Sequence, residues 1–510
     1  MTTEEDAQQI SSTAQVQIRL VTRDERYAVP SVPLYVPVSL KRYGLSEVVN
    51  KLLEQGHEDR VAESSLLPGE TETEGYQTTP FDFLTDDGKL LRATLAEYLS
   101  QRGLSAESSV TLEYTRAILP PSFLASYAHP DWVSAVSIAP ETVANTKVSA
   151  HAPIASGSYD GIIRLWTAAG SVAHSLVAHN AAIKAVRWTS ASSLVSASND
   201  RMLCLWKLKP ESNTNDNDDN TVNTITAASS IDALLRGHTD AVNNVSVAPS
   251  TLASGAPARG DILSASSDHT VRLWSSDYST LPVYEAPESA SASAKNTASQ
   301  KRRKLAQASL PAARSRAPLL TLAAHTAPVT AAIFHPAPGH ANSVAYSVSL
   351  DHTLKTWDLT GAGAVVVSRT TSFPLTCLAA LPDLGLLAIG SSARHILLHD
   401  PRSGNDAGAG GDSGDAALSK ATLTGHTNFV TSIAPSPYSN YVFASSSMDG
   451  TVRVWDARAQ SSLYVLPRES GQKGLGGVAG VFDVDWAKSI GIVSGGKDNQ
   501  LQINSSGFTN

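Results

Sequence analysis

Only two cysteines, Cys204 and Cys377, occur in 510 residues, and each sits in a separate apolar, strand-like run. A disulfide framework is therefore excluded, and a reducing compartment is expected. No apolar stretch approaches the ~18 residues that a bilayer-spanning helix needs. The opening MTTEEDAQQISS is not a signal peptide, so a soluble intracellular protein is expected, with no membrane partner. Excess positive charge is missing too. The formal net charge is −8, which argues against nucleic-acid binding by the surface as a whole. Nucleophile elbow, P-loop, metal-spaced His/Cys set and paired carboxylates are all absent. The expectation is a non-enzyme that binds no metal or cofactor alone.

What the chain has instead is a repeat. Five times an Asp is followed six residues later by a Trp, with a His upstream. The sets are His129/Asp160/Trp166, His179/Asp200/Trp206, His238/Asp268/Trp274, His325/Asp351/Trp357 and His426/Asp449/Trp455. The local strings are alike: SGSYDGIIRLW, SASNDRMLCLW, SASSDHTVRLW, SVSLDHTLKTW and SSSMDGTVRVW. Small residues, an Asp turn and an alternating run ending in Trp describe two strands of one sheet. Such a unit cannot bury its faces alone, so it must stack on copies of itself.

These strings are identified as WD repeats, and the resemblance implies a β-propeller. In WD-repeat proteins the His lies in the loop entering a blade and the Asp in the turn after its second strand. With a strand hydroxyl and the Trp indole they form a buried hydrogen-bond chain, which satisfies an otherwise costly carboxylate. The five sets are accordingly expected to be structural, not metal ligands or catalytic pairs. Two further repeats are degenerate. GSSARHILLHDP has Ala393 at the Asp position and His399 at the Trp position; SGGKDNQLQINSS keeps Asp498 but has Asn504. That makes seven blades, the last one strand short. SFLASYAH, just before the first repeat, is expected to supply that strand and close the ring. The propeller is expected over residues 118–510. Polar insertions at 211–230, 275–318 and 403–420 would follow third strands and share one face.

Residues 14–117 lie outside the repeat. Alternation of Val16, Ile18 and Leu20, then of Leu34, Val36 and Val38, predicts two strands around a turn at Arg23–Arg26. GLSEVVNKLLEQG predicts a helix with Ser46 as N-cap and Gly56 past its end. The polar stretch from His57 to Thr79 is too poor in apolar residues to form a core. PFDFLTDDGKLLRA reads as a hairpin turning at Asp87-Gly88, and Thr94 to Glu97 as a capping box opening a short helix that stops at Gly103. Val110, Leu112 and Tyr114 form a last strand. This order is that of a small α+β ubiquitin-like roll.

A ubiquitin-like unit running through GLSAESSVTLEYTRAILPPSF into seven WD repeats resembles a family of ribosome-assembly factors whose N-terminal module is called Notchless-like. PVSLKRYGLSEVVNKLL, PFDFL and SSARHILLHDPR are similar to its fungal members. The resemblance implies a nucleolar and nucleoplasmic scaffold for pre-60S particles, acting in pre-rRNA processing. It implies a trimeric complex with Pescadillo and the block-of-proliferation WD-repeat protein (PeBoW in animals), bound through the propeller. It further implies that the ubiquitin-like domain docks on the metal site of the AAA ATPase Midasin, whose ATP hydrolysis then strips the complex from the particle. The position matching the family's metal-completing acid is Glu107, in the loop GLSAESS, with Glu97 and Glu113 next in line. A hard Mg²⁺-type ion held by the partner takes such a carboxylate. Separately, Lys301-Arg302-Arg303-Lys304 lies in a Ser/Ala-rich stretch and reads as a nuclear-localisation patch or a direct rRNA contact. A competing reading is a substrate receptor of a cullin-type ubiquitin ligase, from the WDxR tetrapeptide at Trp455 to Arg458.

Overall fold

The computed structural model describes residues 15–506, apart from 23–24, 65–77, 87–89, 104–108, 118, 140–152, 191, 211–226, 250–259, 286–313, 338–342, 362, 383, 403–420, 460 and 469–478. The chain divides into two compact units, with the break between Pro120 and Pro121. The sequence expectation had placed that break at 117/118.

In the first unit, β1 (Gln15–Val21), β2 (Leu34–Pro37), β3 (Phe81–Leu84) and β4 (Val110–Arg116) form one sheet in the order β2-β1-β4-β3. β1 and β4 run parallel and the other pairs antiparallel, which is the ubiquitin-like arrangement. Alternation puts Val16, Ile18, Leu20, Phe83, Leu112 and Tyr114 on one buried face, against Leu45 and Val49 of α1 (Arg42–Ser64). The expected second hairpin strand is reduced to a single bridge, Leu84 to Leu90.

The helix α1 also departs from expectation. It begins four residues before Ser46 and continues past Gly56. One glycine costs a helix only about 1 kcal/mol, and helix formers such as Glu58, Arg60 and Ala62 follow it. Ser46 is then no cap: its Oγ accepts from the Phe81 amide at 3.0 Å and ties α1 to β3. The second helix, α2 (Leu95–Arg102), has both expected ends. Thr94 Oγ1 accepts from the Glu97 amide, and Gly103, at φ 65°, caps the last carbonyls.

Among its described residues the second unit has seven sheets, built on the innermost strands Val133–Ile138, Ile183–Ser190, Val242–Val247, Val329–Phe334, Leu375–Leu381, Val430–Pro435 and Val481–Ala487. Each innermost strand packs on the next, and the seventh packs on the first, which makes a closed ring. The last sheet takes its outer strand from β5 (Phe123–Ala128), paired antiparallel with Gln500–Asn504. Closure therefore joins the two ends of the propeller and removes a free edge.

Two expected insertions are partly built into the sheets. Ala227–Ser230 belong to the outer strand Ala227–Leu235 of blade two. Ser315–Arg316 pair in parallel with Leu234–Leu235 and add a fifth strand there, while Tyr278–Thr280 form a 3-10 turn. Residues 403–420 lie outside the described residues.

Candidate functional site

In blades two, three, four and six the His, Asp, Ser and Trp side chains meet. In blade three the Trp274 indole donates to Ser264 Oγ at 2.8 Å, and Ser264 contacts His238 Nε2 at 2.7 Å. His238 Nδ1 then meets Asp268 Oδ2 at 2.8 Å. An ionised carboxylate can only accept, so Nδ1 carries the hydrogen toward it, and a neutral imidazole then takes the serine hydrogen at Nε2. The same chain links Trp206, Ser196, His179 and Asp200; Trp357, Ser347, His325 and Asp351; and Trp455, Ser445, His426 and Asp449. Burial holds His238 and His325 below the ordinary imidazole range. Burial also pushes the Asp351 carboxyl up, but hydrogen bonds from Thr353, Thr326 and His325 outweigh it and hold the group at about 2. In blades three and four a neutral imidazole on an ionised, engaged carboxylate is a clamp, not a base awaiting substrate; in blade two the neighbouring Cys204 and Asp200 outweigh burial and raise His179 to about 10.

Blade one breaks the pattern, and its set is corrected accordingly. Trp166 and His129 both reach Ser156, but His129 Nδ1 faces the Tyr127 carbonyl at 3.3 Å, not Asp160. Asp160 instead pairs with Arg164 at 2.7 Å. In the four complete blades the residue after the His gives its amide to the Asp: Asn180, Thr239, Thr326 and Thr427. In blade one that residue is Pro130, which has no N–H. Without a carboxylate against it, burial dominates and lowers His129 to about 4.

Blade seven carries a substitute that sequence reasoning missed. Arg468 grips Asp498 through two bonds of 2.9 and 2.6 Å and also donates to Ser494 Oγ at 2.8 Å. A guanidinium thus replaces the imidazole between serine and carboxylate. Its signal was the spacing: Arg468 precedes Asp498 by the same interval as His238 precedes Asp268. Blade five abandons the polar chain. Ile389 stands where the other blades have the serine, and it packs with Leu378, Leu387 and Leu397 against Val348 and Leu354 of blade four. His399, at the Trp position, is buried.

The remaining candidates separate by environment. Asp456 and Arg458 of the WDxR tetrapeptide hold one another at 2.9 Å, with the guanidinium 4.0 Å above the Tyr441 ring. They are thus engaged in strand-end packing. Cys204 and Cys377 are free and buried, and burial pushes the Cys377 thiol up to about 12. Among the described residues no group of three His, Cys, Asp or Glu side chains is placed to hold a metal ion. Among the described residues no helix is long and apolar enough to cross a membrane. Glu107 and the run Lys301, Arg302, Arg303 and Lys304 lie outside the described residues. The segment with Glu107 runs between two fixed points, the Gly103 cap of α2 and buried Val110 of β4. Glu97 lies in the first turn of α2, and Glu113 on β4 opposite Leu84.

Two family models match this architecture. Residues 16–99 match the NLE (NUC135) domain, and 122–167, 170–207, 229–275, 316–358 and 418–456 match the WD domain, G-beta repeat. The Ribosome biogenesis protein YTM1 of Yarrowia lipolytica is 43% identical, over 96% of this chain and 97% of that protein. The proteins of the same name from Candida glabrata and Saccharomyces cerevisiae are each 42% identical, covering 97% and 96% of this chain and 98% and 97% of theirs. Among solved structures, the crystal structure of the WD40 beta propeller domain of Doa1 is similar at TM-score 0.49 and 19% identity, over 76% of this chain and 99% of that one. Likeness at this identity, over nearly the full length of both chains, shows that the chain belongs to the YTM1 family of ribosome biogenesis proteins.

Proposed function

We propose that this chain is a non-catalytic assembly factor of the large ribosomal subunit, working in the nucleolus and nucleoplasm. The observation that carries this reading is the likeness to proteins named for ribosome biogenesis, which spans both units and not the repeats alone. In this reading the propeller binds the block-of-proliferation WD-repeat protein, and with Pescadillo the three form the complex that pre-rRNA processing needs. The propeller suits a scaffold, since its buried His and Asp residues are consumed in holding blades and leave the surface for partners.

The ubiquitin-like unit then docks on Midasin. Glu107 supplies a carboxylate to a Mg²⁺-type ion held by that partner, the donor a hard cation prefers. ATP hydrolysis by Midasin pulls on this unit and releases the complex from the particle. The run from Lys301 to Lys304 serves nuclear import or meets rRNA.

Two measurements test the reading. A tagged full-length chain should recover the two complex partners and precursor rRNA of the large subunit; recovery of a cullin adaptor instead would overturn it. Midasin affinity should depend on Mg²⁺ and vanish in Glu107→Ala, with Glu107→Asp rescuing poorly because the ion requires contacts of ~2.0–2.1 Å. Chelator-sensitive binding by the Ala variant would move the ligand to Glu97 or Glu113.

A further inference from the structure

The seams between blades follow a rule. The second residue of an innermost strand sends its side chain to the first carbonyl of the next innermost strand. Ser134 reaches Ile183, Asn243 reaches Val329 at 2.8 Å and Thr330 reaches Leu375 at 3.0 Å. Thr376 reaches Val430 at 2.6 Å and Thr431 reaches Val481 at 2.8 Å. Two positions leave this duty, Lys184 in blade two and Phe482 in blade seven. They flank blade one, and both turn to its Tyr159. The Lys184 ammonium donates to the Tyr159 hydroxyl at 2.8 Å, and the Phe482 ring lies 5.7 Å from the Tyr159 ring. Trp132 completes the group, 5.2 Å from Tyr159 and 6.0 Å from Phe482, with the Lys497 ammonium 4.9 Å above its ring. The seam that Phe482 abandons is held deeper down. There Asp483 and Asp485 accept the amides of Val136 and Ile138 at 2.9 and 2.8 Å.

This cluster stands at one end of the ring's central channel, where the innermost strands begin and the Asp turns lie. It borders a cavity of about 450 Å³ lined by Tyr159, Lys184, Arg187, Asn243, Phe482 and Asp483. The three rings and Lys184 are half-buried and Lys497 is exposed, so apolar surface and two ammonium groups face solvent together. Leu350 and Phe429, each 40% exposed, extend the apolar rim to blades four and six. Arg201 and Arg394 occupy the exposed turn positions after the second strands of blades two and five. The chain's formal charge is −8, and Asp131 and Asp240 enter at the same end, so Lys184 and Lys497 are local cations set beside the rings, not part of a basic face.

We propose that this mouth is a docking site for an acidic segment of a partner protein, anchored by an apolar side chain against Trp132, Tyr159 and Phe482. Its carboxylates pair with Lys184 and Lys497. A protein segment fits better than RNA on two counts. The rings tilt onto one another by 33–67°, forming an apolar wall instead of parallel faces for stacked bases. The apolar rim of Leu350 and Phe429 also suits alternating apolar side chains better than a repeating phosphate chain. The proposal rests on the reading of the propeller as a partner-binding scaffold.

The test uses the full chain and a short fluorescein-labelled peptide alternating glutamate with leucine and phenylalanine. Three further probes are the same peptide with lysine for glutamate, one with alanine for the apolar residues, and oligo(U) RNA. The acidic–apolar peptide should bind best, and Lys497→Glu should weaken it about tenfold or more. Phe482→Thr should weaken it similarly while melting close to wild type, because threonine restores the seam bond used in the other blades. That pairing separates docking from folding. Equal binding of the lysine peptide, a preference for oligo(U), or unchanged affinity in both variants would overturn the proposal. Recovery of precursor rRNA by the tagged wild-type chain is read separately, so failure of the assembly-factor reading is distinguishable from failure of this site.

Discussion

The four complete clamps and the broken one in blade one allow a controlled comparison. Asp268 accepts from His238 at 2.8 Å, the Thr239 amide at 3.1 Å, the Thr270 amide at 3.0 Å and the Thr270 hydroxyl at 2.6 Å. In Asp268→Ala the fully buried His238 loses the acceptor for its Nδ1–H, a penalty of about 1–3 kcal/mol. The lost turn bonds are partly replaced by water and raise the total to about 2–4 kcal/mol. Asp160→Ala loses only the Arg164 pair and one local amide bond, so about 1 kcal/mol is expected. The coupling is the sharper quantity. A double-mutant cycle of His238→Ala with Asp268→Ala should give about 1–3 kcal/mol, while His129→Ala with Asp160→Ala should stay within about 0.5 kcal/mol. Thermal shifts are too coarse, since about 1 kcal/mol moves the midpoint of so large a unit by only about 1 °C. Urea unfolding followed by tryptophan fluorescence suits better, because all eight tryptophans lie in the propeller unit and the first unit is silent. Equal couplings in the two cycles would refute the assignment of both clamps.

His129 predicts a pH effect: burial lowers its pKa to about 4 from an ordinary 6.5, so its stabilising contribution is present above about pH 6.5 and is lost as pH falls through about 4. Comparing urea midpoints near neutral pH and near pH 4.5, His129→Gln should remove up to about 3 kcal/mol of the wild-type pH dependence. In blade seven, Arg468→Met strands a carboxylate whose side chain is 1% exposed and should cost about 3–5 kcal/mol, with Asp498→Asn added on top recovering part of it in the same urea assay. A fragment starting at Pro121 should melt cooperatively, whereas one starting at Asp131 lacks β5, exposes the strand Gln500–Asn504 and should aggregate by light scattering.

Much of the architecture was legible because a repeat states its own register. The Asp-to-Trp spacing sets the turn and third strand of each blade, and the missing outer strand of blade seven pointed to the segment before blade one. Blade one deceived because His129 and Asp160 carry the same letters as working sets. The contrary signal was one residue, Pro130, whose absent amide is a negative feature that a motif does not display. Arg468 was overlooked for the opposite reason: imidazole and guanidinium differ as letters, yet both bridge a serine hydroxyl and a carboxylate. In the first unit, Gly56 does not stop the helix and Ser46 does not cap it, because a single glycine costs little and the serine hydroxyl is taken by the Phe81 amide.

Departures from a repeat differ in what they signify, and the difference lies in where the lost interaction goes. Ile389, Ala393 and His399 together remove the polar chain of blade five, and apolar packing against blade four takes over inside the fold. Arg468 replaces a histidine and restores the same two bonds. Both changes are compensated in place and concern stability alone. Lys184 and Phe482 differ from these. Neither makes the seam bond of its counterparts, and both instead join half-exposed aromatic groups at the channel mouth. Rings held toward water keep apolar surface exposed that a partner would cover, beside ammonium groups able to pair with its carboxylates, and a seam hydroxyl in their place would offer neither. A position that gives up an internal bond for outward-facing chemistry is therefore the place to seek a partner, and sequence alone does not separate it from Ile389 or Arg468. Only the direction in which each substituted side chain turns makes that distinction.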